Sequence, residues 1–431
     1  MSIVKFGDQK QNITRAVQMC GGLGFMQKIT PSDKVLLKPN LVMRDEQFAL
    51  PKYGVLTTSV VVEAVIKLLA EAGCKNVVIG EGSADVPQGG TRTALPFDGL
   101  GYDKMQKRYG LKLVDFNRGP FEKVDFGSFS LDIAREALEA DFIINLPVLK
   151  THNLTKVSLG FKNLKGCLKK SSKMYCHHPH IPLDTFVSFL GEKLYPDLTI
   201  IDGIYSLEKG PIVTGKAYRK DLLVASTDMF AADVVGSRLM GFSPEEIGHL
   251  NDFASRNNRN IKGTDLEIAG EPLEVPDKPY QWDWKWKEDD SGPTAFARRG
   301  ITGVFYPKYD ATICSGCSFF NNLLLVLLID AYHGEPFPNI EFLSGKQRLS
   351  QGGYNKTFLF GNCIIKANYN NPHIKEAVKI TGCPPSIDTI VKALNENGIS
   401  ADIEAYRKYR QSLMDRYLGK KEFSEELFMV T

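Results

Sequence analysis

The sequence lacks the features that mark a secreted, membrane-spanning or strongly nucleic-acid-binding protein. Its 431 residues carry 53 Lys and Arg against 50 Asp and Glu, so the net charge of +3 gives no global nucleic-acid footprint, and only a local basic patch stays open. The apolar run 319–332 is too short to span a bilayer. Residues 1–11 are largely polar and charged, which predicts no signal peptide and a cytoplasmic protein without membrane or nucleic-acid partners.

Cysteine is the residue that this composition does not lack. The chain has eight, and without a secretory signal they favour thiols and metal ligands over disulfides. We therefore expect the protein to work in the reducing interior of a cell, which includes the interior of an anaerobic cell.

Four of these cysteines form the most informative pattern in the chain. Cys314 and Cys317 form a C-x-x-C pair, Cys363 and Cys383 follow about 45 and 65 residues later, and each lies within two residues of a glycine. Glycines let backbone N–H groups approach inorganic sulfide, and Cys383 precedes a proline, as in many iron–sulfur motifs. We interpret the four as the thiolate ligands of one 4Fe–4S cluster.

Other interpretations of these cysteines stay open. A structural Cys₄ zinc site usually has two C-x-x-C knuckles, whereas this chain has one. A redox dithiol at Cys314 and Cys317, or plain buried thiols, are further alternatives. The apolar segment after the pair predicts a buried helix whose first N–H groups would face an anionic cluster, although a strand also fits its length.

Short apolar segments alternate with helical ones in the first half of the chain. Residues 34–38, 76–79 and 142–145 are predicted strands, with a helix over 58–73 between the first two. Strand, helix and strand within about 50 residues predict an α/β fold with a mostly parallel sheet and helices on both faces. Ligands of such sheets bind beyond the carboxyl ends of the strands, where polar residues recur in this sequence.

The basic stretch 149–180 follows one of these strand ends. Lysines and histidines interleaved with Gly and Asn could clamp an anionic small molecule, and Gly160 and Gly166 predict a shaped loop rather than a helix. Our candidate catalytic residues are Lys150, Lys162 and His152, the last being the first choice for proton transfer. The candidate substrate-binding residues are Lys38, Asn40, Glu81, Ser83, Asn163, Lys165, His177 and His180.

Simpler interpretations of this stretch remain. The lysines could form a solvated basic face, and the histidines of 177–180 could bind a second metal ion, although their spacing alone is weak support. Cys167 and Cys176 are read as free thiols by default, with a second site left open.

The composition also predicts a domain plan. We expect an α/β domain over 1–261, a linker or arm over 262–308, a smaller α/β domain carrying the iron–sulfur cluster over 309–400, and a C-terminal helix and loose tail over 401–431. Trp282, Trp284 and Trp286 share a face if the arm is extended, so they would pack on the neighbouring domain or embrace a partner subunit in a homodimer.

Several motifs occur in a fixed order, namely KPNL at 38–41, NLPVLKTH at 145–152, KNLKG at 162–166, LTIIDGI at 198–204, Gly210-Pro211 and ASTD at 225–228, with Ala232-Asp233-Val234 after it. Over roughly residues 34–245 they resemble the domain-of-unknown-function family 362, whose members are often called iron–sulfur-centre proteins. Many members carry a ferredoxin module with closely spaced cysteines. The cysteines here are spread from 314 to 383, which argues against a two-cluster ferredoxin and for one cluster in a different C-terminal domain.

Three functions follow from these observations. The first is an oxidoreductase or electron-transfer enzyme whose cluster serves an anionic substrate and a redox partner protein. The second is a non-redox racemase or lyase with a structural cluster, since the loop 157–162 is faintly similar to the Gly-rich, lysine-bearing loop of nickel-pincer lactate racemases. The third is a cluster-bearing binding or scaffold protein, which would have an exposed cluster rim and no pocket lined by residues 150–165.

Overall fold

A large, mainly parallel sheet and a smaller parallel sheet organise the chain in the computed structural model, which describes residues 1–7, 9–45, 47–84, 92–212 and 214–430. The strands are β1 (Ser2–Lys5), β2 (Lys34–Pro39), β3 (Asn76–Glu81), β4 (Lys112–Asp115), β5 (Phe121–Asp125), β6 (Ser130–Ala134), β7 (Phe142–Leu146), β8 (Val148–His152), β9 (Lys156–Val157), β10 (Leu198–Glu208), β11 (Lys216–Ser226), β12 (Ala269–Gly270), β13 (Val304–Phe305), β14 (Ile340–Leu343), β15 (Lys356–Phe360) and β16 (Ala377–Ile380).

The helices surround both sheets. They are α1 (Gln9–Met19), α2 (Gly22–Met26), α3 (Ser59–Glu71), α4 (Ala94–Gly99), α5 (Tyr102–Tyr109), α6 (Arg135–Leu138), α7 (Leu159–Asn163), α8 (Lys170–Tyr175), α9 (Leu183–Lys193), α10 (Met229–Leu239), α11 (Gly248–Arg256), α12 (Thr294–Arg298), α13 (Ser315–Asp330), α14 (Asn362–Ala367), α15 (Ile387–Asn395) and α16 (Ile403–Asp415), with 3₁₀ turns at Leu164–Cys167, Pro244–Glu246 and Glu425–Phe428. None of the helices in the described ranges combines the length and hydropathy that crossing a membrane requires.

The large sheet has the order β12-β1-β11-β10-β7-β2-β3-β4. Its five strands from β10 to β4 are parallel to one another. Strand β11 is antiparallel to both of its neighbours, β10 and β1, so β1 runs in the same direction as the five. Beyond β7 the chain continues as β8, which also pairs with β10. The predicted α/β fold with a large, mainly parallel sheet is confirmed.

Alternate residues of the central strands enter two different cores, because side chains along a strand point to opposite faces. Val35 and Leu37 pack with Val65 of α3 on one face. Leu36 packs on the other face with Phe186 of α9. Burial on both faces explains why β2 is a short, almost uniformly apolar run.

The smaller sheet, β13-β14-β15-β16, is parallel throughout. Helix α13 packs Leu323 and Leu327 against Phe342 and Phe358 of this sheet in a third core. The choice between helix and strand for 319–332 is therefore settled in favour of a helix that begins at the cysteine pair.

The predicted linker or arm, residues 262–308, contributes one strand to each of the two sheets. Strand β12 pairs with β1 of the large sheet, and β13 starts the small sheet by pairing with β14. Trp282 packs against the core around α9, and the Trp286 indole N–H donates to the Tyr306 carbonyl at 3.0 Å. Trp284 is 37% exposed.

The C-terminal segment differs from the loose tail that its charge predicts. Helix α16 packs Tyr406 and Leu413 into the core of the small sheet. Tyr417 and Phe428 then enter the core of the large sheet, where their rings meet Tyr53. Aromatic side chains spaced along a polar segment decide its placement here.

Candidate functional site

A cavity of about 140 Å³ lies at the carboxyl ends of the large sheet, against the start of α13. The predicted residues on its wall are Asn40, Glu81, Lys150, His152, Lys162, Asn163, Lys165 and His177. From the smaller domain, Ile313, Ser315 and Ser318 complete the wall. Side chains from both halves of the fold therefore form one site.

The strand register explains why these residues meet. Lys38 of β2 lies beside Asn145 of β7, so the chain that leaves β2 as Asn40 and the chain that leaves β7 toward Lys150 emerge together. The next strand, β3, ends at Glu81 on the same edge. Polar residues at successive strand ends thus converge on one point, as expected for a doubly covered parallel sheet.

Asn163 connects two of the converging segments, the ends of β2 and β7, through its side-chain amide. Its Nδ2 donates to the Asn145 side chain at 2.8 Å and to the Lys38 carbonyl at 3.0 Å, and its Oδ1 accepts from Asn40 at 2.8 Å. Asn40 in turn accepts from Lys150 Nζ at 2.7 Å. The network fixes Lys150 in the wall of the cavity.

Among the residues that the structure describes, Glu81 is the carboxylate of the cavity wall, and it is already neutralised. Lys38 Nζ lies 2.9 Å from its Oε2, and both side chains are buried. The backbone N–H groups of Leu41 and Gly82 each donate to Glu81 at 2.8 Å. Lys38 and Glu81 therefore form a supporting pair and leave no spare negative charge for the other cations.

Three predicted substrate-binding residues do not line the cavity. Lys38 points to Glu81 instead, and Ser83 is buried with its hydroxyl donating to the Leu41 carbonyl at 2.5 Å. His180 is exposed and its ring lies beside His178. Only His177 of the histidine cluster reaches the site, so the cluster does not converge on a second centre.

The lysines of the cavity are cations with too few counter-charges. Burial lowers the pKa of Lys150 to about 7, with Lys38 adding to the effect and Glu81 opposing it. Burial likewise lowers the pKa of Lys173 to about 8 and that of Lys162 well below its ordinary value. Such shifts measure the cost of burying positive charge, which an anionic ligand would remove.

Lys162 has no hydrogen-bond or ion-pair partner within the described parts of the chain, although it lines the cavity. It sits on α7, whose first N–H groups, those of Gly160 and Phe161, donate to the buried Asp233 carboxylate at 2.8 and 3.0 Å. The predicted loop is thus a short helix with a carboxylate at its start. Its position leaves the Lys162 ammonium available to a ligand.

The two histidines of the cavity are held neutral. Burial lowers the pKa of His152 well below its usual value, and Lys162 and Lys165 add to the lowering. His152 Nδ1 accepts from the Leu154 N–H at 3.1 Å, so the ring proton resides on Nε2. His177 Nε2 lies 2.8 Å from Lys165 Nζ, and burial lowers its pKa too.

The four predicted cluster ligands line a second, small pocket together. Cys314 precedes α13 and Cys317 lies in its first turn, whereas Cys363 follows β15 and Cys383 follows β16. The first two are half-buried and the last two exposed. Three turns that are distant in sequence therefore bring four thiols to one place.

The donors around these thiols fit an anionic cluster. The Cys317 thiol and the backbone N–H groups of Gly316 and Cys317 lower the pKa of Cys314 to about 5, although burial opposes them. A Cβ added at Gly361, where φ is +95°, would lie 3.3 Å from Cys317 Sγ, so this glycine keeps room beside the sulfur. Within the described ranges no three Cys, His, Asp or Glu side chains are close enough to hold a single ion. A cubane places its four thiolates on different irons and tolerates wider spacing than a zinc ion, which needs sulfurs at about 2.3 Å.

The cation cavity and the cysteine pocket share a wall. Ile313 lines both, and Ser315 lies between the two cysteines of the pair. Lys346 lines the cysteine pocket and donates to the carbonyl of His177 at 2.5 Å. The thiol of Cys314 is near enough to oppose the lowering of the Lys165 pKa that burial causes.

Sequence reasoning missed several residues of these walls. Lys173 belongs to the basic run and donates to Gly82 O and Asn117 Oδ1, a contact that only the fold reveals. Ser315 and Lys346 come from the other domain. Ser315 lies within the C-x-x-C pair, but that motif does not predict its place in the cation cavity, and no local pattern marks Lys346. Cys167 and Cys176 are buried free thiols in the core around α9, and burial raises the pKa of both.

Comparison with known proteins places the first half of the chain. Residues 35–238 match the model of the family described as "Domain of unknown function (DUF362)". A thylakoid-associated protein of Synechocystis sp. is 31% identical over 287 residues, which cover 65% of this chain and 84% of that protein. Its printed name gives no reaction.

Among solved structures, the lactate racemase apoprotein from Thermoanaerobacterium thermosaccharolyticum has a TM-score of 0.36 and 13% identity to this chain. The match covers 56% of each chain, so this protein spans just over half the length of that one. A likeness at this level carries no argument about chemistry. By the matched family model and the relative aligned over most of its length, the chain belongs to the family Domain of unknown function (DUF362).

Proposed function

We propose that this protein holds a 4Fe–4S cluster on Cys314, Cys317, Cys363 and Cys383 and binds an anionic small molecule in the adjoining cavity, where the two exchange electrons. The observation that carries the proposal is the shared wall at the start of α13. It puts four thiols and a group of under-compensated cations on two sides of one turn. A protein that only bound an anion would not need the four thiols, and a protein that only carried a cluster would not need the cations beside it.

When bound, such a cluster would supply or accept single electrons, and four thiolates would leave no iron open to act as a Lewis acid. The chain's own residues would bind and orient the substrate. Lys162, which has no protein partner in the described ranges, would contact the anion directly, and Lys150 would do so from its fixed position on Asn40. The neutral His152, with its proton on Nε2, would donate a hydrogen bond from that nitrogen to the substrate.

An external redox protein would complete the electron path. Cys363 and Cys383 are exposed, so the rim of the cysteine pocket can be approached from outside while the cation cavity lies on its inner side. A cluster in a reducing, cytoplasmic setting fits eight cysteines that are all free.

The experiment is anaerobic purification followed by quantification of iron, acid-labile sulfide, zinc and nickel. We expect about four irons and about four sulfides per chain and bleaching by dithionite. Cys363→Ser should lose most of the iron, whereas Cys20→Ser, a half-buried thiol elsewhere in the fold, serves as the matched control and should retain it. One zinc per chain without sulfide would refute the cluster.

A non-redox acid–base enzyme is the second candidate. Lys150, whose pKa burial lowers to about 7, is the observation that favours it, since its amine could take up and release a proton near neutral pH. The discriminating result is turnover that does not change when the cluster is reduced. The scaffold alternative required that residues 150–165 line no pocket, and they do line one.

A further inference from the structure

A further cavity of about 200 Å³, which we call the aromatic cavity, adjoins the cation cavity and has a mainly apolar wall. Aromatic and aliphatic side chains dominate its wall, among them Trp284, Trp286, Phe296, Tyr309, Leu325 and Val326. Of the residues in the described ranges, no lysine, histidine or carboxylate lines it, and the exposed Arg299 is the charged group on its wall. Such a wall favours an apolar occupant over a solvated anion.

The two cavities share part of their walls. Asn153, which follows His152, lines both, as do Ile212 and Phe319. Asn153 Nδ2 donates to the Tyr309 hydroxyl at 2.7 Å, so the segment that carries His152 is tied to the aromatic wall. A ligand can therefore lie across the boundary with one end among cations and the other among rings.

The aromatic wall is held in place before any ligand arrives. The Trp286 indole N–H donates to the Tyr306 carbonyl at 3.0 Å, and the Trp286 ring meets the Tyr309 ring edge-on at 6.0 Å. Fixed rings cost little entropy on binding. Ligand pockets usually hold roughly 300–1,000 Å³, a range that neither cavity reaches alone and whose lower end the two reach together.

We infer that the substrate is a carboxylate that carries an aromatic ring, with the carboxylate on the lysines of the cation cavity and the ring in the aromatic cavity. This inference rests on the proposed function, because it assumes that the anion lies beside Lys162. It adds the class of substrate, which the charges alone do not define.

Malonate and benzylmalonate provide a matched pair of probes, since they share a head and differ by one benzyl group. Calorimetry on the anaerobically purified protein should give at least about tenfold tighter binding of benzylmalonate, because its ring leaves water for the aromatic cavity. The chain's three tryptophans lie within five residues of one another, and two of them line this cavity. Their fluorescence should change with benzylmalonate and not with malonate.

Ala295 and Ala297 provide a matched pair of variants on the short helix α12. Ala295 lines the aromatic cavity, whereas Ala297 is exposed. Ala295→Phe should abolish the advantage of benzylmalonate and leave malonate binding as it was, and Ala297→Phe should change neither. Val326→Phe, which fills the same cavity from α13, replaces Ala295→Phe if that variant does not fold by circular dichroism.

Lys162→Met separates this inference from the function on which it rests. It should weaken both probes. Equal affinity for the two probes, both still weakened by Lys162→Met, would overturn the aromatic substrate and leave the anion site standing. An advantage of benzylmalonate that survives Ala295→Phe and Val326→Phe would place the ring elsewhere and also overturn it. If Lys162→Met leaves the affinity for malonate unchanged, the proposed anion site itself is refuted.

Discussion

Single residues divide into those that face a ligand and those that hold them in place. Lys162 and His152 line the cavity, whereas Lys38 sits behind it and forms a buried ion pair with Glu81. Both groups are polar residues near strand ends, so sequence position alone could not separate them. Strand alternation and pairing decide which side chain reaches the cavity, and Lys38 turns to Glu81 for that reason.

The pH dependence of anion binding follows from the same residues. The pKa values of Lys150 and Lys173 lie at about 7 and about 8, and an anion favours the charged form of each. Binding therefore takes up protons wherever these lysines are neutral in the free protein. We expect malonate affinity to fall as the pH rises from about pH 7 to about pH 9.

Calorimetry in buffers of different ionisation enthalpy measures this proton uptake. Lys150→Met should remove the part of the fall that begins near pH 7 and leave the part that Lys173 contributes near pH 8. Lys156→Met, which removes a lysine paired with Glu246 outside the cavity, should leave the profile unchanged. A flat profile in the unaltered protein would contradict the assignment of these lysines to the anion site.

At the scale of elements, the structural role of a glycine depends on the groups that lie next to it. Gly160 predicts a loop rather than a helix, yet it lies in the first turn of α7, where Asp233 accepts its N–H. A Cβ at this position would lie 2.8 Å from Asp233 Oδ1, so the glycine admits the carboxylate. The carboxylate that contacts Gly160 comes from a distant segment, so the local helix propensity of the sequence does not predict it.

Gly361, at the junction of β15 and α14, gives a test at this scale. Its φ of +95° and the closeness of Cys317 Sγ both disfavour a side chain. Gly361→Ala should lower the iron content per chain to less than about half. Gly353→Ala matches it as a control, because Gly353 has a φ of +90° and no atom within 4 Å of an added Cβ.

Iron content after anaerobic purification, normalised to folded protein, decides the outcome. Both variants should lose about 1 kcal/mol of unfolding free energy to backbone strain. If Gly353→Ala loses as much iron as Gly361→Ala, strain alone explains the loss. The space beside Cys317 would then have no role in holding the cluster.

For the whole molecule, the site depends on how two domains meet. The strands and helices of each domain were predictable from apolar patterns, and α13 could be placed from its apolar run. The approach of Ser315 to the cation cavity was not predictable from the sequence, because it depends on Met43 and Phe48 entering the core of the smaller domain. Those residues are far from α13 in sequence and have no motif of their own.

The C-terminal segment supports this assembly, and Phe428 is its most buried anchor. Phe428→Ala should lower the unfolding free energy by about 3–5 kcal/mol, because a buried ring leaves a cavity among Tyr53 and Tyr205. Met429→Ala is the control, since Met429 is 51% exposed. Denaturant unfolding measures both, and equal, small losses would mean that the segment is not anchored at Phe428.

The same segment has a consequence for biosynthesis. Tyr406 and Leu413 belong to one core, and Tyr417 and Phe428 belong to the other. Domains usually fold in order as they leave the ribosome, the N-terminal one first. Here neither core has all its side chains until residues 406–428 have been translated, so both domains reach their final packing only after this segment has left the ribosome.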